Sequence, residues 1–238
     1  MPDLTRMPAF DVLKNGDFRT LWTVKMVNEI SRRMELLALG YLVLRMTDSP
    51  FQVGLIAVFL NIPRPFFSLL AGLVADRLDR RRVLIGVHAI YSVISTVLLL
   101  LLVVGAVEPW HVFIAIFLQG SAKVLDDPSR RTAIFDLAGR ERLASAMSLE
   151  TINNNSGKIA GPLIGGVLIA STGFVGSYAA ILVLDAVSLL MISRLKLPHI
   201  PLSQGTTVQV WRSLRDGLRH SMNNRMVLGA VSYTHLRA

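Results

Sequence analysis

The stretch VLIGVHAIYSVISTVLLLLLVVGAV, residues 83–107, contains no Asp, Glu, Lys or Arg. About 20 consecutive apolar residues suffice for an α-helix to cross the hydrocarbon core of a bilayer. A second such run, residues 159–184, is broken only by the turn-forming residues 171–173. Buried helices of a soluble bundle are the alternative, but their apolar stretches typically last only about 10 to 14 residues. These runs therefore predict an integral membrane protein.

The composition agrees with a membrane location. Hydrophobic residues make up 52% of the chain and charged residues 17%, whereas soluble domains carry about 25% charged residues. The 25 basic and 16 acidic residues leave a net charge of +9, which suggests nucleic acid only where basic residues cluster. Here they lie between apolar runs, so we expect no nucleic-acid partner. Absence of cysteine excludes disulfides and thiolate metal sites, and we expect no cofactor.

Six apolar segments have the length of membrane spans, which predicts an all-α bundle of six transmembrane helices in contact with the lipid bilayer. The segments are residues 21–45, 53–75, 83–104, 112–129, 148–170 and 178–193. The connections at residues 47–50, 108–109 and 171–173 are short, contain turn-forming residues and lack Lys and Arg. The first 19 residues contain no signal-peptide core, so insertion relies on the first span.

The other connections carry the basic residues, which indicates the orientation of the bundle. Arginine and lysine follow the second, fourth and sixth segments at positions Arg77, Arg80, Arg81, Arg82, Arg130, Arg131, Arg140, Arg142, Arg194 and Lys196. Loops rich in Lys and Arg remain in the cytoplasm, and Lys14 and Arg19 precede the first segment. We therefore expect a multi-pass protein of the cell (inner) membrane with a cytoplasmic N-terminus.

Charged and amide side chains inside the spans form stripes. On the first segment, Lys25, Asn28, Glu29 and Arg32 recur at helical spacing and share one face. A charge at the bilayer centre costs at least about 2.5 to 3.5 kcal/mol, so this stripe must face protein or water. Similar stripes on the second, fourth and fifth segments comprise Asn61, Arg64, Ser68, Gln119, Lys123, Asp126, Asp127, Arg130, Asn154, Asn155 and Lys158.

These stripes predict that the first, second, fourth and fifth segments surround a wet cavity. The third segment has no Asp, Glu, Lys or Arg and the sixth has only Asp185, so we expect both to face lipid. The alternative is that the charges form internal ion pairs that only fasten the helices, as the spacing of four residues would allow for Lys25 and Glu29. Four stripes on separate helices exceed what helix packing requires.

Glycines recur on the fifth segment. Gly157, Gly161 and Gly165 are four residues apart, with Pro162 and Gly166 beside them. Small residues at this spacing let two helix backbones approach closely. We predict a helix-packing face.

The connection after the second segment reads GLVADRLDRRR, residues 72–82. Gly72, Asp76, Arg77, Arg80 and Arg81 match the Gly-x-x-x-Asp-Arg-x-Gly-Arg-Arg pattern that the major facilitator superfamily has between its second and third helices. Residues 161–166 resemble the Gly-Pro-x-x-Gly-Gly motif of its antiporter branch. Residues 17–230 thus resemble that superfamily, and in general pattern the exporter branch that includes the enterobactin exporter.

One position departs from the pattern. Asp79 stands where the superfamily has glycine, so we expect a tight left-handed turn that aspartate tolerates better than most residues. An acid beside this arginine cluster could also cap the following helix.

The resemblance implies the N-terminal six-helix half of a transporter whose second half is missing. We expect a cytoplasmic segment over residues 1–19, the transmembrane domain over 20–194, a cytoplasmic linker with an amphipathic helix over 195–224, and a truncated seventh helix over 225–238. A soluble partner-binding helix is the alternative for the linker. In this fold helices one, two, four and five line the cavity, as the charge stripes also indicate.

The function we predict is secondary active transport of a small molecule by alternating access, as a proton-coupled exporter of a siderophore, drug or organic anion. Burial raises the pKa of carboxylic acids in general, so the candidates for proton coupling are Glu29 and Glu35. The candidate substrate contacts are Arg32, Arg33, Arg64, Asn154 and Lys158. The candidate cytoplasmic gate comprises Gly72, Asp76, Arg77, Arg80, Arg81, Asp126 and Asp127, with Asp126 or Asp127 pairing with Arg80.

A charge count predicts an anionic cargo. The inward-facing candidates are six basic residues, namely Lys25, Arg32, Arg33, Arg64, Lys123 and Lys158, and four acidic residues, namely Glu29, Glu35, Asp126 and Asp127. Arginine does not readily lose its proton, and two glutamates can satisfy at most two arginines by bidentate pairing. One arginine would remain for an acidic group on the cargo.

Two other function classes remain open. A membrane-embedded enzyme would need a nucleophile, metal cluster or phosphate-binding loop, but the sequence has no His-x-x-Glu-His, no Gly-x-Ser-x-Gly and no cysteine. We therefore do not expect an enzyme. A non-transporting receptor or scaffold has the amphipathic helix as its only positive indication.

Overall fold

A computed structural model describes residues 11–68, 71, 78–195 and 197 of the chain. These residues belong to one unit, Met1–Ile200, while a second unit, Pro201–Ala238, lies outside the described residues. The predicted amphipathic helix and the start of the seventh helix fall in that second unit. The positions of Gly72, Asp76 and Arg77 are also outside the described residues.

The described chain is helical. A 3-10 turn, Asp11–Lys14, precedes α1, Gly16–Thr47. Helix α2 is Pro50–Asn61, and helical residues continue to Ser68. Helix α3 is Arg80–Val104, and α4 is Pro109–Arg194.

Two glycines interrupt α4. Gly139 and Gly173 both have φ of 70° and a non-helical ψ. Residues with a Cβ rarely adopt this combination of backbone angles. We refer to residues 109–138, 140–172 and 174–194 as α4a, α4b and α4c. The break at Gly173 lies in the predicted turn at 171–173. The break at Gly139 lies in the predicted connection between residues 129 and 148, which is otherwise helical.

Side chains at the helix starts satisfy the free backbone amides of the first turn. Asn15 accepts bonds from the amides of Asp17 and Phe18 at 3.0 and 3.3 Å. Asp79 accepts bonds from the amides of Arg81 and Arg82 at 2.8 and 3.3 Å and caps α3. With φ of −56°, Asp79 is not left-handed. The sequence therefore replaces the superfamily's glycine with a helix cap rather than with a strained turn.

Three of the described helices are long and apolar enough to cross a membrane, namely Pro50–Ser68, Arg80–Val104 and Pro109–Arg194. Helix α1 is not among them, because charged side chains interrupt its apolar residues.

Two apolar clusters lie at opposite ends of α1. The first contains Phe18, Leu21 and Val24 of α1 with residues of α3 and all three parts of α4. The second contains Ala38, Leu39, Leu42 and Val43 with residues of α2, α3, α4a and α4c. Between them, α1 buries Lys25, Asn28, Glu29, Ser31 and Glu35. We call this intermediate stretch the polar layer.

Helix α4b packs directly on α1 through its glycines. A Cβ added at Gly157 would lie 2.8 Å from Glu29 Cβ, and one at Gly165 would lie 3.2 Å from Met34 Cα. At Gly161 an added Cβ would meet Arg33 Cβ and would lie 2.9 Å from the carbonyl oxygen of Ile30. The backbone of α1 thus occupies the space where α4b lacks side chains.

We predict that Gly161→Ala destabilises the helix bundle, because its methyl group would clash with the α1 backbone. Overpacking of this kind costs about 1 to 3 kcal/mol. Gly166→Ala on the same helix is the matched control, since its Cβ would have only Leu37 Cδ2 nearby, at 3.9 Å. Thermal unfolding in mild detergent should show a lower melting temperature for Gly161→Ala only. Equal melting temperatures for the two variants would contradict close packing at Gly161.

Candidate cargo cavity and its buried charges

A small cavity of about 60 Å³ opens beside the polar layer, with room for a few water molecules. Its walls come from α1, α2, α3 and α4a. The lining residues are Lys25, Asn28, Glu29, Arg32, Arg33, Leu36, Leu60, Tyr91, Ile116, Gln119, Lys123, Asp126 and Asp127. The polar stripe predicted on α1 therefore does line a cavity.

Glu29 lies among cations. Lys25 Nζ is 2.8 Å from its Oε1, and Arg33 Nε is 3.6 Å from its Oε2. Lys25 also lies 4.0 Å from Oε1 of Glu150 on α4b. Lys25 and Arg33 both pair with the Glu29 carboxylate, so the negative charge of Glu29 is compensated.

Arg32 holds the opposite arrangement, one cation between two carboxylates. Its guanidinium pairs with Glu35 through NH1 and with Asp185 of α4c through NH2. Asp185 also accepts hydrogen bonds from Ser31 Oγ at 2.8 Å and from Ser95 Oγ of α3 at 2.6 Å. The guanidinium carbon lies 4.5 Å from the centre of the Tyr91 ring, a favourable cation–π distance.

A third buried pair lies on α4a. Arg130 donates to both carboxylate oxygens of Asp126, at 2.9 and 3.1 Å. Both side chains are nearly inaccessible, and Arg130 NH2 is 3.4 Å from His88 Nε2 of α3. Bidentate pairing is the strong form of this interaction, but it lies within α4a, and only the contact of Arg130 with His88 links it to α3.

Some predicted substrate contacts are separated from the cavity. Arg32 and Arg33 line it, whereas Arg64 is largely exposed and pairs with Asp127 at 3.5 Å. Asn154 and Lys158 are not among the lining residues, and Lys158 is exposed. The packing of α4b explains this, because Lys158 is turned about 100° around the helix from Gly157, which faces α1.

The predicted partner of Arg80 is wrong. Arg80 pairs with Asp136, while Asp126 and Asp127 line the cavity. Asp136 lies about 15 Å beyond Asp126 along α4a, level with the first turn of α3. The neighbouring Arg81 donates to the carbonyl oxygen of Ser193 on α4c, so both arginines join the start of α3 to α4.

The third and sixth segments, which we expected to face lipid, also bury polar side chains. His88, Tyr91 and Ser95 of α3 and Asp185 of α4c are buried. Sequence reasoning missed Asp185 as a site residue because it stands alone on an apolar helix. That isolation is itself the signal, since a lone carboxylate in a membrane span requires a partner.

The charge argument for an anionic cargo fails at its premise. Arg32 has two carboxylate partners, Arg33 lies beside Glu29, and Arg64 pairs with Asp127. The count omitted Asp185 and Glu150. Each of the three arginines thus has an acidic partner within the chain, and none is left over for a cargo.

The chain matches a family model described as transmembrane secretion effector, of the major facilitator type, over residues 7–234. It is 29% identical over 123 residues to YfiS, an uncharacterized MFS-type transporter of Bacillus subtilis, covering 52% of this chain and 28% of the relative. It is 22% identical over 231 residues to YkuC, another uncharacterized MFS-type transporter of that species, covering 93% of this chain and 53% of the relative.

A further relative carries a functional name. The enterobactin exporter EntS of Shigella flexneri is 26% identical over 220 residues, covering 90% of this chain and 52% of the relative. The chain thus spans about half the length, or less, of these curated relatives.

We predict that Asp126→Asn strongly destabilises the protein, because it leaves the buried Arg130 guanidinium without its counter-charge. Breaking a buried pair in this way typically costs about 3 to 5 kcal/mol. Asp127→Asn is the matched control on the adjacent, half-buried residue, where loss of the Arg64 pair should cost at most about 1 kcal/mol. The free energy of unfolding in mixed detergent micelles separates the two. Similar losses for both variants would refute the assigned burial.

Proposed function

Because the chain belongs to the major facilitator superfamily, within its family of transmembrane secretion effectors, we propose that its protein is a secondary exporter that works by alternating access and exchanges protons for cargo. The observation that supports this most is the polar layer of α1. It gathers buried charges around a cavity, between two apolar clusters. Charges at this depth are energetically costly, and helices do not require them merely to pack against one another.

We propose that α1, the helical stretch Pro50–Ser68 that begins with α2, α3, α4a, α4b and α4c each span the membrane. Membrane-spanning apolar helices and transporter relatives make the chain a multi-pass membrane protein. The 32 residues of α1 extend about 48 Å, more than the roughly 30 Å of a hydrocarbon core. Its charges are compatible with a span because they face other helices and the cavity.

Proton exchange is assigned to Glu35 in preference to Glu29. Glu29 has two cationic neighbours, which favour its ionised form, whereas Glu35 shares its one cation with Asp185. A carboxylate in the second situation gains more from a proton. The cavity has room for only a few waters, so we propose that a C-terminal six-helix half completes the cargo site, as transporters built from two halves require.

The cargo is proposed to be a small molecule of the kind that exporters of this family carry, with catecholate siderophores as the first class to test. This choice rests on the relative named as an enterobactin exporter. Drugs and organic anions are the other classes. The paired arginines of the cavity give no preference for a negative charge.

We predict that Lys14 and Gly205 both lie on the cytoplasmic side of the inner membrane, because basic residues flank the cytoplasmic ends of spans. The chain has no cysteine, so Lys14→Cys and Gly205→Cys can be labelled singly in intact cells. An impermeant maleimide should label neither until the membrane is opened, whereas a cysteine at Glu108 should react from outside. Labelling of either position in sealed cells would overturn the orientation.

We predict that the complete transporter, reconstituted in vesicles with an acidic lumen, accumulates a radiolabelled catecholate siderophore. Proton efflux would drive this uptake, so collapse of the pH gradient with a protonophore should reduce it to the level of empty vesicles. A cationic dye and an organic anion, assayed in parallel, identify the cargo class. Uptake that is equal with and without the gradient would contradict proton exchange.

A further inference from the structure

The Arg32 cluster has an unbalanced charge. Arg32 contributes one positive charge, and Glu35 and Asp185 contribute one negative charge each when ionised. Glu35 is 0% exposed and Asp185 1%. One negative charge is therefore left uncompensated in a buried site, which is strongly disfavoured. One proton removes the imbalance.

The hydrogen bonds indicate which carboxylate carries that proton. Asp185 accepts from Ser31, Ser95 and Arg32, and donors of this number favour the ionised form. Glu35 accepts from Arg32 on Oε2 only, and its Oε1 has no hydrogen-bond partner among the described residues. The amide of Gln119 lies beside Glu35 without a bond of normal geometry.

A protonated Glu35 resolves that unsatisfied contact. The oxygen and nitrogen of a glutamine amide can exchange places by rotation. A proton on Glu35 Oε1 could then be donated to the amide oxygen of Gln119. The neutral acid would be hydrogen-bonded on both oxygens, while Arg32 and Asp185 would form a balanced pair.

The other groups around the cluster do not supply the missing positive charge. Tyr91 and His88 face it from α3 and Tyr178 from α4c. Asp126 of α4a interacts with Tyr91 and His88, but its guanidinium partner is Arg130. Lys25 and Arg33 bind Glu29.

We propose that Arg32, Glu35 and Asp185 form a single proton-binding site in which Glu35 carries the proton and Asp185 is a positioning residue that holds Arg32. This rests on the proposed proton exchange and adds the sixth span to it. The site lies directly behind the cavity, because Arg32 and Gln119 line the cavity whereas Glu35 and Asp185 do not. When Glu35 loses its proton, its carboxylate again attracts the Arg32 guanidinium. Because Arg32 lines the cavity, protonation of Glu35 affects the cavity wall.

Infrared spectroscopy of the purified full-length protein in detergent tests this without transport. The wild type at neutral pH should show the C=O stretching band of one buried, protonated carboxylic acid. Glu35→Gln should abolish that band. Asp185→Asn should abolish it too, although Glu35 is retained, because Arg32 would then neutralise Glu35 alone. A purely structural role of Asp185 would not remove a proton from a residue on another helix.

Two control variants preserve the charges. Asp185→Glu and Ser95→Ala should both keep the band, since neither changes the charge balance. Melting temperatures show which variants are folded, and Glu35→Gln tests the site even if Asp185→Asn does not fold. A band that persists in Glu35→Gln, or that Asp185→Asn leaves unchanged, would overturn the proposal. The proposal would also be overturned if the wild-type protein lacked the band and its melting temperature rose on addition of Na⁺.

The infrared test and the flux test can fail separately. If the band behaves as expected but a pH gradient drives no flux, the proton site stands and proton-coupled export fails. If flux depends on the gradient while the band is absent, this site is wrong and the exporter proposal remains.

Discussion

The constraint on which the structure depends is that α1 places Lys25, Glu29, Arg32, Arg33 and Glu35 within eleven residues of one helix. Lipid cannot solvate these groups, so other helices must do so. The structure meets the constraint by surrounding this stretch with carboxylates, hydroxyls and a ring from α3 and α4, and by placing apolar clusters on either side. The arrangement of the neighbouring helices follows from what α1 needs.

The buried charges are divided into groups with different balances. Lys25 and Arg33 balance Glu29 and Glu150, Asp126 and Arg130 are matched one to one, and Arg32 has an excess of carboxylates. A matched pair keeps both of its charges, because neither member gains from a change in protonation. An unmatched group responds to protons or ligands. The distinction separates fastening from function within one polar layer, which the sequence pattern alone presents as a single stripe.

The apolar runs were sufficient to predict apolar helices, because span length is a local property, whereas the count of six separate helices stays a prediction. The stripe on α1 also indicated a cavity face, since helical spacing defines a face without reference to neighbours. Contacts such as Ser31 with Asp185, which are 154 residues apart, depend on how separate helices are rotated and shifted against each other. Periodicity within one helix contains no information on that, so Asp136 and Asp185 were missed as partners.

The glycine face of α4b has a mechanical consequence. Two helices that contact each other through long side chains can slide, because the side chains change rotamer. Backbone-to-backbone contact, as between Gly161 and Ile30, does not allow this adjustment. We therefore expect helices α1 and α4b to move together as one rigid unit. Relative motion within this domain must be taken up at its other joints, and Gly139 and Gly173, which interrupt α4 on either side of α4b, are where the backbone can bend.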